Sequence, residues 1–163
     1  MGAGKTTVGR ALADRLGWAF IDSDRQVEAR TGRTVADIWR TEGEPGFRHL
    51  EREALEDALA ATAERPAVVA AAGGTVLDPR NRDLLRRHPP VVWLRARPET
   101  SAARVGTGET RPLLAGDPLG ALQRLGAERR PFYEEVADTV VDVDDLTPDQ
   151  IVERVMAATQ AAS

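Results

Sequence analysis

The sequence predicts an α/β fold in which parallel strands are covered by helices. Two observations carry that prediction. Short apolar runs alternate with helical stretches along the whole chain, the order that gives a parallel sheet with helices on both faces. The chain also opens on Gly2-Ala3-Gly4-Lys5-Thr6-Thr7 and runs straight into a helical pattern, which matches the tail of the phosphate-binding loop G-x-x-x-x-G-K-[ST]. With 163 residues, a single domain with a substantial core is expected.

Val8, Leu12 and Leu16 recur at helical spacing, so a helix is expected over 6–16, stopped by Gly17. A short strand follows over 18–21 and ends at Asp22. Helices are expected over 24–30, closed by Gly32, and over 35–40. A longer one over 46–62 aligns Phe47, Leu50, Ala54, Leu55, Ala58 and Leu59 in one apolar stripe. The strand over 67–71 is cut off by Gly73-Gly74. A helix over 80–87, a strand over 91–94 and a helix over 98–105 come next. The stretch 107–118, rich in Gly, Pro and Thr, reads as a long mobile loop. The next helix covers 118–136, with Pro131 expected to start or kink its last portion. A fourth strand over 139–143 and a helix over 148–158, capped by Thr147, complete the order. Ligands of such sheets bind beyond the carboxyl ends of the strands. Asp22, Asp24 and Gly73-Gly74 fall there.

The loop pattern asks for another Gly and one further residue ahead of Met1, and for a strand that feeds the loop. The reading therefore expects a chain that starts upstream, with the first strand missing here. Composition narrows the function classes. A net charge of −4 argues against nucleic acid as the main partner. There is no cysteine, and His49 and His88 show no metal-ligand spacing. No apolar run approaches the ~18 residues of a membrane span, so a cytoplasmic protein is expected.

The chain has one lysine, Lys5, and every other basic residue is arginine. Where any cation serves, this composition supplies Arg. The exception stands where a slim ammonium must reach nucleotide phosphates and a neighbouring hydroxyl holds Mg²⁺. Asp22-Ser23-Asp24 offers two carboxylates that can divide labour, one toward the metal and one toward a substrate hydroxyl. The plain alternative is that an acid before a helix only caps it. Gly73-Gly74 admits a close backbone approach or simply makes a turn. Arg48 can point along the core edge into a cleft, or be solvated like most helix arginines, and the same choice applies to Arg129 and Arg130. Arg111, in the loop 107–118, suits a lid that neutralises a transferring phosphoryl group, or is a solubilising charge.

In order, the motifs GAGKTT, DSD, FRHLE, AGGTV, TRPLL and ERRPFY resemble those of the shikimate kinase family over almost the whole chain. The resemblance implies a P-loop kinase fold with five strands, the first one missing here, as one domain over 1–163 with a lid around 106–118. It implies transfer of the ATP γ-phosphate to the 3-hydroxyl of shikimate, with Mg²⁺, in chorismate biosynthesis, by a monomer without nucleic-acid or membrane partners. Gly2, Ala3, Gly4, Lys5, Thr6, Thr7, Arg104 and Arg111 would hold the nucleotide, with Arg104 near adenine. Thr6 and Asp22 would serve the metal. Asp24, Arg48, Gly73, Gly74 and Arg129 would bind shikimate, and Lys5, Asp24 and Arg111 would be catalytic. Arg129 is preferred to Arg130 because the family pattern is R-x-P-x-Y. Ala72 stands where the family usually has glycine, a departure acceptable if its φ is negative. The alternatives are another small-metabolite kinase, such as gluconate kinase, and a catalytically silent nucleotide-binding homologue.

Overall fold

The computed structural model describes residues 1–105, 112–114 and 116–161. The element order is α1 Lys5–Leu16, β1 Ala19–Asp22, α2 Ser23–Thr31, α3 Val35–Ala61, β2 Ala67–Ala70, α4 Pro79–Arg86, β3 Val92–Arg95, α5 Pro98–Val105, α6 Pro118–Val136, β4 Thr139–Asp142 and α7 Pro148–Ala161. The α/β alternation expected from the sequence is therefore present. All strand pairing among the described residues is parallel. β1 pairs with β2 from Ala19↔Ala67 to Asp22↔Ala70, and β3 pairs with β4 from Val92↔Thr139 to Arg95↔Asp142. These are two separate two-stranded ladders rather than one continuous sheet.

Side-chain alternation along the strands divides the core. Val92 and Leu94 of β3 and Val141 of β4 pack with Val8 of α1 and with Ile151, Val152 and Val155 of α7. The intervening Trp93 turns the other way and stacks on Tyr133 of α6, ring centroids 5.3 Å apart. On that side Leu55, Leu59, Val76, Leu85 and Val136 join α3, α4 and α6. Val27, Ile38, Phe47 and Ala54 form a further cluster between α2 and α3.

The helices expected over 35–40 and 46–62 are both present within α3, separated by a kink at Gly43, where φ is 69° and ψ −173°. Only glycine takes that backbone readily, and Pro45 just beyond it fits the first turn of a restarted helix. α6 runs through Pro131 to Val136. Within the stretch read as a long loop, residues 106–111 and 115 lie outside the described residues. Pro112–Leu114 is a short 3-10 turn, and Leu114 is buried against Ala121 and Leu122, with Met1 and Ala102 beside it. Thr147 caps α7 as expected: its Oγ1 accepts from Gln150 N at 3.3 Å while Gln150 Oε1 accepts from Thr147 N at 2.9 Å, a reciprocal capping box.

Candidate active site

The loop residues Gly2 and Gly4 both hold positive φ, 73° and 88°, a conformation that side chains disfavour. Gly2 is also pressed on a neighbour, since a Cβ there would lie 2.6 Å from Ser101 O. Gly4 sits at the N-cap of α1 without a side-chain cap, and the first helical bond runs from Val8 N to Gly4 O at 2.9 Å. The N–H groups of Lys5, Thr6 and Thr7 therefore have no acceptor within the helix, and no acid stands in its first turn. Such a helix start attracts phosphate through its donors and its dipole together.

The end of β1 comes to this loop. Thr6 Oγ1 donates to Asp22 Oδ2 at 2.8 Å, so the two residues expected to serve a metal are in contact. Asp22 is also the N-cap of α2, accepting from Arg25 N. Capping thus falls on Asp22, and Asp24 lies in the first turn of α2. Among the described residues no cluster of three or more His, Cys, Asp or Glu could bind a metal by itself. A hydroxyl beside one carboxylate suits a hard cation that takes its remaining oxygens from water and substrate phosphates.

The second half of the site is built on α3 and α6. An open cleft of roughly 350 Å³ is lined by Glu44, Arg48, Glu51, Gly74 and Asn81, among others. Arg48 Nη1 donates to Glu51 Oε2 at 2.8 Å, while Nε and Nη2 both donate to Glu44 Oε1, at 3.2 and 3.0 Å. Its guanidinium lies on Gly74, where an added Cβ would fall 2.0 Å from Nη1. Burial favours a neutral Arg48, but the Glu51 and Glu44 carboxylates outweigh it and hold the group above the usual arginine range. Glu51 is 1 % exposed. Its burial raises the carboxyl above the ordinary range, and Arg48 only partly offsets that. Arg129 is buried as well. Glu51 Oε1 and Arg129 Nε have no hydrogen-bond partner among the described residues.

Gly73 is where the two halves meet. A Cβ built on it would stand 3.3 Å from Tyr133 Oη, 3.6 Å from Arg129 Nη1 and 3.8 Å from Met1 N. The structure therefore brings the loop start, Arg129 and the Gly73-Gly74 backbone together, with Arg48 on Gly74. Ala72 keeps φ out of the left-handed region, and its N–H donates to Ser23 Oγ at 3.0 Å, so a methyl group is tolerated there. Arg104 Nη2 donates to Val143 O at 3.0 Å, and Nη1 reaches Gly2 O at 3.5 Å, which ties the end of β4 to the loop. Arg111 lies outside the described residues.

Sequence reasoning missed Glu44, Glu51 and Tyr133 as parts of this site. A signal existed for two of them: Glu51 falls one turn from Arg48 beside the apolar stripe, and Tyr133 is the chain's one tyrosine.

The family model for shikimate kinase matches residues 1–160. The chain belongs to the shikimate kinase family. It is 49% identical to the shikimate kinase of Symbiobacterium thermophilum, covering 98% of this chain and 92% of that protein. With the shikimate kinase of Thermobifida fusca it shares 44% identity, over 99% of this chain and 91% of the other. Among solved structures, the shikimate kinase from Acinetobacter baumannii in complex with shikimate superposes with a TM-score of 0.94 at 35% identity, covering all of this chain and 90% of that one. Membership establishes the P-loop kinase fold and does not favour the gluconate kinase and silent-homologue alternatives.

Proposed function

We propose that this chain transfers the γ-phosphoryl group of ATP to the 3-hydroxyl of shikimate, giving shikimate 3-phosphate and ADP. The observation that carries the reading is the convergence at Gly73. The loop that leads into the anion-attracting start of α1 adjoins Gly73 through Met1 N, and two arginines in or beside the cleft adjoin the same short backbone segment. That is the layout needed to hold a phosphoryl donor against an acidic acceptor.

Phosphoryl transfer demands alignment and charge neutralisation more than covalent chemistry from the protein. The N–H groups opening α1 and the Lys5 ammonium receive the phosphates. Thr6 and Asp22 would hold Mg²⁺, which would supply positive charge against the phosphate oxygens. Arg48 and Arg129 take the shikimate carboxylate, a planar acceptor that suits a guanidinium fork. Asp24 hydrogen-bonds the attacking hydroxyl and accepts its proton. Gly73 and Gly74 contact the substrate through their backbone, Arg104 lies near adenine, and Arg111, outside the described residues, serves the phosphates. The chain works as a single-domain monomer over 1–163. A cytoplasmic location fits the absence, among the described residues, of any helix long and apolar enough to cross a membrane.

A coupled ADP-release assay with shikimate and gluconate as rival acceptors tests the reading. Turnover is expected with shikimate alone. ATP binding without turnover of either acceptor overturns the proposal.

A further inference from the structure

We propose that the Tyr133 hydroxyl is a positioning group for the acid substrate, holding the Gly73-Gly74 backbone in the shape on which Arg48 and Arg129 rest. The inference depends on the reading above, in which those two arginines hold the substrate carboxylate.

Tyr133 Oη donates to Gly73 O at 2.6 Å, across 60 positions of sequence. The segment it grips has little else to fix it. Gly73 and Gly74 have no side chains, and glycine backbone is the most costly to order. Their neighbours are secured, with Ala72 N on Ser23 Oγ, Thr75 N on Ala72 O and Leu77 N on Gly74 O. The Gly73 carbonyl is secured by Tyr133. If it is released, the peptide between Gly73 and Gly74 can rotate, and Gly74 is the surface against which the Arg48 guanidinium lies.

The strut is itself rigid. The Tyr133 ring stacks on Trp93 of β3 and adjoins the cluster around Leu55 and Val76. Arg129 stands one turn earlier on the same face of α6, at the i, i+4 spacing that brings side chains together. One hydroxyl therefore sets the distance between α6, with its Arg129, and the turn after β2 that carries Arg48's support. The plainer reading makes Tyr133 a core ring whose hydroxyl only happens to find a carbonyl. That reading predicts lower stability with no preference between the two substrates.

Tyr133→Phe separates the two, because it keeps the ring and the stack and removes only the hydroxyl, with its bond to Gly73 O and its interaction with Arg129. The KM for shikimate is expected to rise about tenfold, as for loss of one well-formed buried hydrogen bond. The KM for ATP and kcat should stay within about twofold, the usual spread of neutral substitutions. Trp93→Phe is the graded comparison: it loosens the same stack but leaves the hydroxyl, so it should lower the melting temperature and raise the shikimate KM less than Tyr133→Phe does. A shikimate KM unchanged in Tyr133→Phe overturns the inference, and so does an equal rise for both substrates. Failure of the unaltered protein to phosphorylate shikimate overturns the functional reading along with it. Normal turnover with an indifferent Tyr133→Phe overturns this inference alone.

Discussion

Replacing Gly74 by Ala tests the acid-binding half of the site with one methyl group. The backbone there has φ −86° and ψ −12°, a right-handed conformation open to any residue, so alanine introduces no backbone strain. The new Cβ would lie 2.0 Å from Arg48 Nη1, 2.5 Å from Cζ and 2.6 Å from Nη2. Non-bonded contacts under 3.0 Å essentially do not occur at a Cβ, so the guanidinium must withdraw by about 1 Å, well beyond ordinary packing tolerance. A shift of that size takes Nη1 out of its 2.8 Å bond to Glu51 and misaligns the fork offered to a carboxylate. Losing a charge-assisted bond costs about 1.5–3 kcal/mol, or roughly ten- to a hundredfold in the KM for shikimate. Global stability should fall much less, because the atoms that yield are the far end of a flexible side chain and alanine restricts the unfolded chain. Gly73→Ala is the graded comparison. Its Cβ meets Tyr133 Oη at 3.3 Å and Arg129 Nη1 at 3.6 Å, so its effect should be smaller. Initial rates in a coupled ADP-release assay, with shikimate and ATP varied separately, read all of this. A Gly74→Ala enzyme that melts normally and keeps its shikimate KM would refute the argument. If Arg48→Ala also left that KM unchanged, the error would lie in the role given to Arg48.

Three other outcomes follow from the same structure. Lys5→Ala should lower kcat by about a hundredfold or more, the scale of losing one preorganised charge partner, with little change in the shikimate KM; a kcat within about tenfold of the unaltered enzyme would remove Lys5 from phosphoryl transfer. Leu55→Ala, at a position with 0% exposure, should cost about 2–5 kcal/mol of stability, seen as a lower urea midpoint with unchanged slope; a loss near zero would mean that the core between α3, α4 and α6 collapses freely around the void. Glu51 has its carboxyl raised by burial, against the pull of Arg48, so the folded state holds that proton better than the unfolded chain. The stability it contributes is complete below the ordinary glutamate range and is lost as pH rises through the raised value. Urea unfolding at a series of pH values should show the stability gap between the natural protein and Glu51→Gln narrowing in that window, and a gap independent of pH would count against it.

Most of the fold was legible because strands and helix ends are written in local chemistry. Each strand is an apolar run stopped by a polar or glycine signal, and the observed bounds lie within a residue of those expected. The two helical parts of α3 were legible too, as separate helices over 35–40 and 46–62, with the kink at Gly43 between them. Short 3-10 turns were not. Thr75–Leu77 reads as β-prone, and it is held from α4 by Asn81 Nδ2 on Thr75 O at 3.1 Å and Arg82 Nη1 on Val76 O at 2.9 Å. The loop was legible from spacing, because Gly2, Gly4, Lys5 and Thr6 fall within one short run that opens α1. Partners distant in sequence were not. The spacing of Glu51 from Arg48 and the singularity of Tyr133 were signals, but neither names the partner: that Glu51 grips Arg48 and Tyr133 grips Gly73 is decided by packing.

Lysine and arginine divide the site along physical lines that the composition already hints at. Arg48 uses Nη1 toward Glu51 and the Nε–Nη2 side toward Glu44, and rests its flat face on Gly74. An ammonium has neither two separate donor edges nor a plane to rest on glycine, so lysine at 48 could satisfy Glu51 or Glu44 but would be poorly fixed for a carboxylate. Crowding reverses the choice at the loop. Its glycines turn the backbone against Ser101 and onto the start of α1, and in the proposed reading a narrow cation suits phosphate oxygens there better than a planar one. Arg48→Lys and Lys5→Arg are therefore not mirror-image conservative changes. The first keeps the charge and gives up orientation, so it should raise the shikimate KM while kcat is largely retained. The second keeps the charge and adds bulk where the phosphates must seat, so it should depress kcat and weaken ATP together. Kinetics in which both exchanges behaved alike would show that net charge, rather than shape, governs the cleft.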